Sequence, residues 1–198
     1  MFDSNIILED EVALLRPLDY SDYAHLLQYA LHEPNIWQYS LVSAGGADGL
    51  RNYIDTALAA RQAQREYAFI VWDKRQQKYA GSTRFYDISL NHKTLEIGYT
   101  WYAKDFQGTG LNKHCKFLLL SYAFDVLKME RVSFKADSNN KRSIAAMQSI
   151  GCTIEGILRN DLQKADGSRR SSIVLSILAA EWQGHVRAML QTKISNLP

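Results

Sequence analysis

Three consecutive runs, "YAFIVWD" (67–73), "KYAGSTRFYDI" (78–88) and "TLEIGYTWYA" (94–103), are rich in aromatic and β-branched residues and are separated by short polar turns. No other feature of the chain restricts its fold as strongly. Side chains of this kind prefer extended backbone, and short polar connections between them predict three strands joined as antiparallel hairpins. The period then changes. "KDFQGTGLNKHCK" (104–116) sets two glycines at alternate positions, and "LNKHCKFLLLSYAFDVLKM" (111–129) has the length and composition of a largely buried helix. A flexible, donor-rich turn at the positive end of a helix is suited to cradling an anion, most often a phosphate.

The other elements fit around this hairpin-and-helix unit. A short strand is predicted from Val12 to Arg16, and "PLDYSDYAHLLQYALHEP" reads as a turn into a helix capped by Asp19, favoured by Asp22 and closed by Pro34. A second helix is expected from about Leu50 to Gln64, because Tyr53, Ile54, Ala57 and Leu58 recur at helical spacing. "RVSFKAD" returns to strand, and "KRSIAAMQSIG" is a short helix ended by Gly151. "CTIEGILRND" and "RRSSIVLSILA" flank an Asp166-Gly167 turn, and Glu181 to Ile194 forms a terminal helix. No repeat or flexible linker interrupts this order. Residues 1–198 are therefore expected to form one α/β (α+β) domain with a mixed, mostly antiparallel sheet of about seven strands flanked by helices.

Composition excludes several classes of function. A formal charge of +2 with scattered Lys and Arg lacks the basic stripe of a nucleic-acid binder. The start, "MFDSNIILEDEVALL", is acidic where a signal peptide is basic, and no run approaches the roughly 20 apolar residues needed to span a bilayer, so a cytoplasmic protein without a membrane partner is expected. Cys115 and Cys152 are far apart and read as buried small hydrophobes. His25, His32, His92, His114 and His185 have no metal-ligand spacing, and no metal is expected. A Rossmann fingerprint, an NTPase phosphate loop and a G-x-S-x-G nucleophile turn are all missing from the sequence. Monomer and homodimer are both left open.

Taken together, "VALLRPLDYSDYAHLL", "LEIGYTWYAKDFQGTGLNKHCKFLLLSYAF" and "DSNNKRSIAAMQSIGCTIEGILRNDLQKADG" resemble the GNAT superfamily of acyl-CoA-dependent N-acetyltransferases. Within it they are similar to the RimJ/RimL-like branch, which acetylates the N-terminal amines of ribosomal proteins. The resemblance covers nearly the whole chain. It implies that acetyl-CoA is the cosubstrate, bound by a segment that opens at Gln107, with its pyrophosphate on the amides of about Gly108, Thr109, Gly110, Leu111 and Asn112, and with Lys113 adding positive charge. Asn112 replaces the small residue with which the family's segment usually ends. The resemblance further implies splayed central strands at about Thr94–Tyr102 and Arg131–Asp137, with the pantetheine arm between them and a backbone N–H near Tyr99 facing the thioester oxygen. Asn140 and Ser143 match the family's Asn-x-x-Ser pair, Asn140 contacting the arm or the incoming amine and Ser143 lying near the sulfur. Met147 stands where many members have an acidic tyrosine, and Cys152 replaces the usual aromatic after Gly151.

An amine must lose a proton before it attacks, so a carboxylate or an ordered water should lie beside it. Alternation puts Thr94, Glu96, Gly98 and Thr100 on one side and Leu95, Ile97, Tyr99 and Trp101 on the other, which makes Glu96 the candidate base. In the family resembled, the glutamate of "EIGY" points to the acceptor cleft. Arg16, Trp37, Tyr39 and Tyr86 are candidates for the wall of that cleft. Three functions follow: acetyl transfer to a protein or peptide N-terminus, the same transfer to a small-molecule amine, or a CoA-binding module without turnover.

Overall fold

The computed structural model describes residues 5–164 and 167–197. Its elements are β1 (Leu8–Glu9), β2 (Ala13–Pro17), α1 (Tyr23–His32), α2 (Gly46–Gln62), β3 (Tyr67–Asp73), β4 (Lys78–Ser89) and β5 (Thr94–Tyr102). They continue with α3 (Leu111–Ser121), β6 (Arg131–Asp137), α4 (Lys141–Ser149), β7 (Thr153–Gln163), β8 (Arg169–Leu178), α5 (Ala179–Glu181) and α6 (Arg187–Ser195). The strands form one sheet in the order β1-β2-β3-β4-β5-β6-β8-β7, and only β5 and β6 pair in parallel. The eighth strand, beyond the seven or so expected, is the two-residue β1 at the edge.

The β3–β4–β5 meander occupies the centre, as the aromatic runs require. On one face, α2 buries Leu50, Tyr53, Ile54, Ala57 and Ala60, a stripe at helical spacing, and packs against α1. On the other, α3 packs beside α6. Trp182 is fully buried there, stacked on Phe124 at 5.6 Å and tilted against Phe117 at 5.9 Å.

Several boundaries differ from expectation for local reasons. Asp19 caps a 3-10 turn (Tyr20–Asp22) that precedes α1, in a reciprocal box with Asp22. The helix expected over 111–129 is α-helical only to Ser121, then widens into a π turn over Tyr122–Val126. The terminal helix is likewise interrupted by a π turn at Trp182–Val186, between α5 and α6. Asp166 of the anticipated hairpin turn lies outside the described residues.

Candidate active site

The functional geometry starts where two strands part. β5 and β6 pair at Thr94–Arg131, Leu95–Val132 and Glu96–Ser133 and no further, whereas β5 stays on β4 and β6 follows β8 from Arg131 to Asp137. The strands thus open into a V from Ile97 and Phe134 onward. A cavity of about 650 Å³ occupies this gap, within the range of ligand sites.

One arm of the V is irregular. Ser82 pairs with Trp101 but Arg84 pairs with Gly98, so β5 carries an extra residue, and Tyr99 takes φ 50°. The strand alternation expected from the sequence therefore breaks after Gly98. Glu96 and Gly98 lie on the Tyr86 side, but Thr100 turns to α3 and Trp101 turns to the other face, 4.9 Å from Trp37. The left-handed Tyr99 is held from three sides. Its ring meets the Arg84 guanidinium at 4.1 Å and the Tyr86 ring edge-on at 5.1 Å, and its carbonyl accepts from the Tyr53 hydroxyl at 3.4 Å. Arg84 is itself buried and donates to Glu66 at 2.7 Å.

At the other end lies the glycine turn. Gly108 and Gly110 both adopt left-handed φ, 78° and 89°. A Cβ on Gly108 would meet nothing within 4 Å, so this backbone faces open space. Among the described residues, the amides of Gly108, Thr109, Gly110 and Asn112 donate to no protein acceptor, and Gly110 begins α3 without a side-chain cap. Four free amides at the positive end of an eleven-residue helix have the geometry to hold an anion. Gln107, Gly108, Gly110, Asn112 and Lys113 line the cavity. Thr109 and Leu111 do not. The Thr109 hydroxyl donates to the Phe106 carbonyl, so Thr109 offers only its backbone amide, whereas the Leu111 side chain is fully buried and its amide donates to the Thr109 hydroxyl at 3.4 Å.

Asn140 and Ser143 line the cavity at the start of α4, where the Asn140 Oδ1 accepts from the Ser143 amide at 3.1 Å. That cap fixes both residues and leaves the Ser143 hydroxyl without a protein partner among the described residues. Trp37, Tyr39 and Tyr86 form part of the opposite wall with Leu41 and Val42. Burial, and next the neighbouring Glu96 carboxylate, raise the Tyr86 hydroxyl far above the ordinary range, so it stays neutral.

Two expected site residues sit differently. Arg16 is outside the cavity, clamped to Asp22 at 2.5 Å and to the Tyr79 hydroxyl at 2.7 Å. Glu96 stands behind the wall rather than in it. Its Oε1 is 2.9 Å from Lys135 Nζ, and its buried Oε2 has no hydrogen-bond partner. Glu96 reaches the cavity through Tyr86, its cross-strand partner, and Lys135, both of which line it.

The sequence reading missed four cavity cations. Arg142 donates to the Gln107 Oε1, linking α4 to the glycine turn. Arg170 is buried and donates to the Tyr39 carbonyl at 3.5 Å, tying β8 to the aromatic wall. Lys135 holds Glu96, and Lys116 projects from α3. Only the charge of these residues was visible in the sequence, since their convergence depends on the V. Elsewhere, ligand atoms of Asp10, Glu11 and His114 come within 4.8 Å of one another, a grouping that sequence spacing did not suggest. There His114 Nδ1 lies 2.8 Å from Asp10, whose other oxygen accepts the Val12 and Ala13 amides.

Sequence and fold both match known proteins. A family model described as "Acetyltransferase (GNAT) domain" matches residues 13–153. The chain belongs to the GNAT acetyltransferases. The Bacillus subtilis (strain 168) protein called "Putative ribosomal N-acetyltransferase YdaF" is 28% identical over 188 residues, which are 93% of this chain and 99% of that protein. A GCN5-related N-acetyltransferase from Brucella melitensis superposes with TM-score 0.89 at 22% identity, over 99% of this chain and 88% of that one. Mycobacterium smegmatis RimJ, solved in complex with CoA-disulfide, superposes with TM-score 0.78 at 20% identity, over 96% and 94%. This GNAT enzyme is an acetyl-CoA-dependent N-acetyltransferase. No helix among its described residues is long and apolar enough to cross a membrane.

Proposed function

We propose that this acetyltransferase modifies the N-terminal amine of a protein or peptide by direct attack on acetyl-CoA within a ternary complex. The observation that carries the reading is a single cavity that joins the free amides of the glycine turn to an aromatic wall across the parted strands. A coenzyme entering at the cradle and an amine entering at the wall meet in the middle, with no need for a covalent enzyme intermediate.

In this reading, the amides from Gly108 to Asn112 hold the pyrophosphate, with Lys113 and Arg142 beside them. The backbone N–H at the Tyr99 bulge receives the oxygen as the carbonyl carbon becomes tetrahedral. Asn140 orients the arm and Ser143 borders the sulfur. Glu96 draws the acceptor's proton away through a water, its unpartnered Oε2 being the accepting atom. The aromatic wall continues into Leu41 and Val42, which are about 40% exposed and offer a surface for residues that follow a peptide's N-terminus. The name of the Bacillus subtilis relative agrees with this acceptor class.

An acceptor screen tests the proposal. Peptides with free N-terminal Ser or Ala are expected to give higher kcat/KM than free amino acids, polyamines or aminoglycosides. A small amine preferred by more than roughly tenfold, about 1.4 kcal/mol in transition-state binding, would reject it in favour of small-molecule acetylation.

A further inference from the structure

Lys116 is a cavity residue whose burial no neighbouring carboxylate explains. It is 4% exposed, and among the described residues no carboxylate lies within ion-pair distance. Its Nζ donates to the Thr100 hydroxyl at 2.8 Å and to the Thr83 hydroxyl at 3.3 Å, and these two hydroxyls are 2.7 Å apart. The network closes on the bulge. With Thr83 donating to Thr100, the Thr100 hydroxyl donates to the Gly98 carbonyl at 3.4 Å, which leaves both oxygens free to accept from an ammonium. An ammonium has three donors, two are used, and Lys116 lines the cavity.

Ordinarily a helix lysine is exposed, and burying one without an anion is costly. An ammonium kept directly behind the bulge of β5, on the face opposite Glu96, is placed for an anion that forms only during reaction. We propose that Lys116 is the catalytic acid of the transfer, donating a proton from Nζ to the departing coenzyme A sulfur. The inference rests on the cavity being the acetyl-CoA site.

The acceptor nitrogen uses its lone pair to bond the thioester carbon, and the carbonyl pair moves onto oxygen. As that pair returns, the carbon–sulfur bond breaks and its electrons leave on sulfur. The Nζ proton then passes to sulfur to give the coenzyme A thiol, and neutral Lys116 accepts from a threonine hydroxyl. Water returns a proton to Lys116 as the products leave, and the proton lost by the acceptor goes to solvent.

The surroundings suit this role. Burial pushes Lys116 down to about 8, so its proton is held at neutral pH yet easily given up. The titratable groups around it do not compete: Cys115 on α3 and Cys152 after α4 are each pushed up to about 12 by burial, and burial also raises Tyr102 on β5 well above the ordinary tyrosine range. Thr83 on β4 and Thr100 on β5 complete the shell.

K116M, K116R and S143A would be compared with wild type by thermal melting, acetyl-CoA calorimetry, pH–rate profiles and the ultraviolet absorbance of bound coenzyme A thiolate. Wild-type enzyme that fails to bind acetyl-CoA would overturn the proposed function itself. Given binding, K116M is expected to keep its acetyl-CoA affinity within threefold and to lose about a hundredfold in kcat. The alkaline decline expected of the wild-type rate above about pH 8 should be lost in K116M. Bound coenzyme A should titrate at least about one pH unit higher in K116M than in wild type, whereas S143A should leave that titration in place. K116R, which keeps a charge, should preserve the low thiol titration even if K116M folds poorly. An unchanged thiol titration in folded K116M, or a shift confined to S143A, would overturn the assignment.

Discussion

The cradle is open to a test in which strain and ligand loss separate. Gly108 and Gly110 have nearly the same left-handed backbone, so a non-glycine residue at either is expected to cost the fold about 1–2 kcal/mol. For a chain of this length, that lowers Tm by roughly 2–8 °C. Surroundings then divide the two. A Cβ at Gly110 would lie 2.5 Å from Leu197 Cδ1, whereas one at Gly108 meets no protein atom within 4 Å. G108V therefore adds bulk only to open space, where the proposed pyrophosphate would lie. Losing a single hydrogen bond to a charged group costs about 1.5–3 kcal/mol, so acetyl-CoA affinity should fall by between about tenfold and a hundredfold or more. G110V should lose affinity too and lose more stability, and L197A in that background should recover stability without recovering affinity. Calorimetry with acetyl-CoA on variants shown to be folded is the assay. Unchanged affinity in G108V would refute the pyrophosphate assignment, because strain alone would then account for everything seen.

Three further outcomes are expected. E96Q should lower kcat/KM about a hundredfold near pH 7 with acetyl-CoA affinity nearly unchanged, the deficit shrinking as pH rises and more acceptor is already neutral; equal rates with chemistry limiting would sink the base assignment. E66A leaves the Arg84 guanidinium buried without its carboxylate and should cost about 3 kcal/mol, seen as a Tm lower by roughly 6–12 °C, while a loss below about 1 kcal/mol would show that Tyr53 and Tyr99 suffice to hold it. G98A would put a Cβ 2.5 Å from Tyr86 Cε1, so the ring must move; acceptor KM should rise with acetyl-CoA affinity unchanged, and an unaltered KM would remove Tyr86 from the acceptor wall.

Much of the framework could be read without coordinates, because local physics decides it. The runs at 67–73, 78–88 and 94–103 became β3, β4 and β5 since their side chains suit only pleated, half-buried backbone and their connections only hairpins. The glycine turn was legible for the same reason: left-handed backbone at Gly108 and Gly110 is a property of those residues. Tertiary contact decided the rest. Nothing local makes Tyr99 left-handed; Arg84, Tyr86 and Tyr53 impose it, and the resulting bulge sends Thr100 and Trp101 to the faces opposite those that alternation predicts. Arg16 was a candidate for the acceptor wall, but Asp22, six residues on and buried, takes it instead. Lys116 is the extreme case. A helical pattern reads a lysine as facing water, whereas two threonine hydroxyls on neighbouring strands hold this one buried beside the cavity that the parting of β5 from β6 opens.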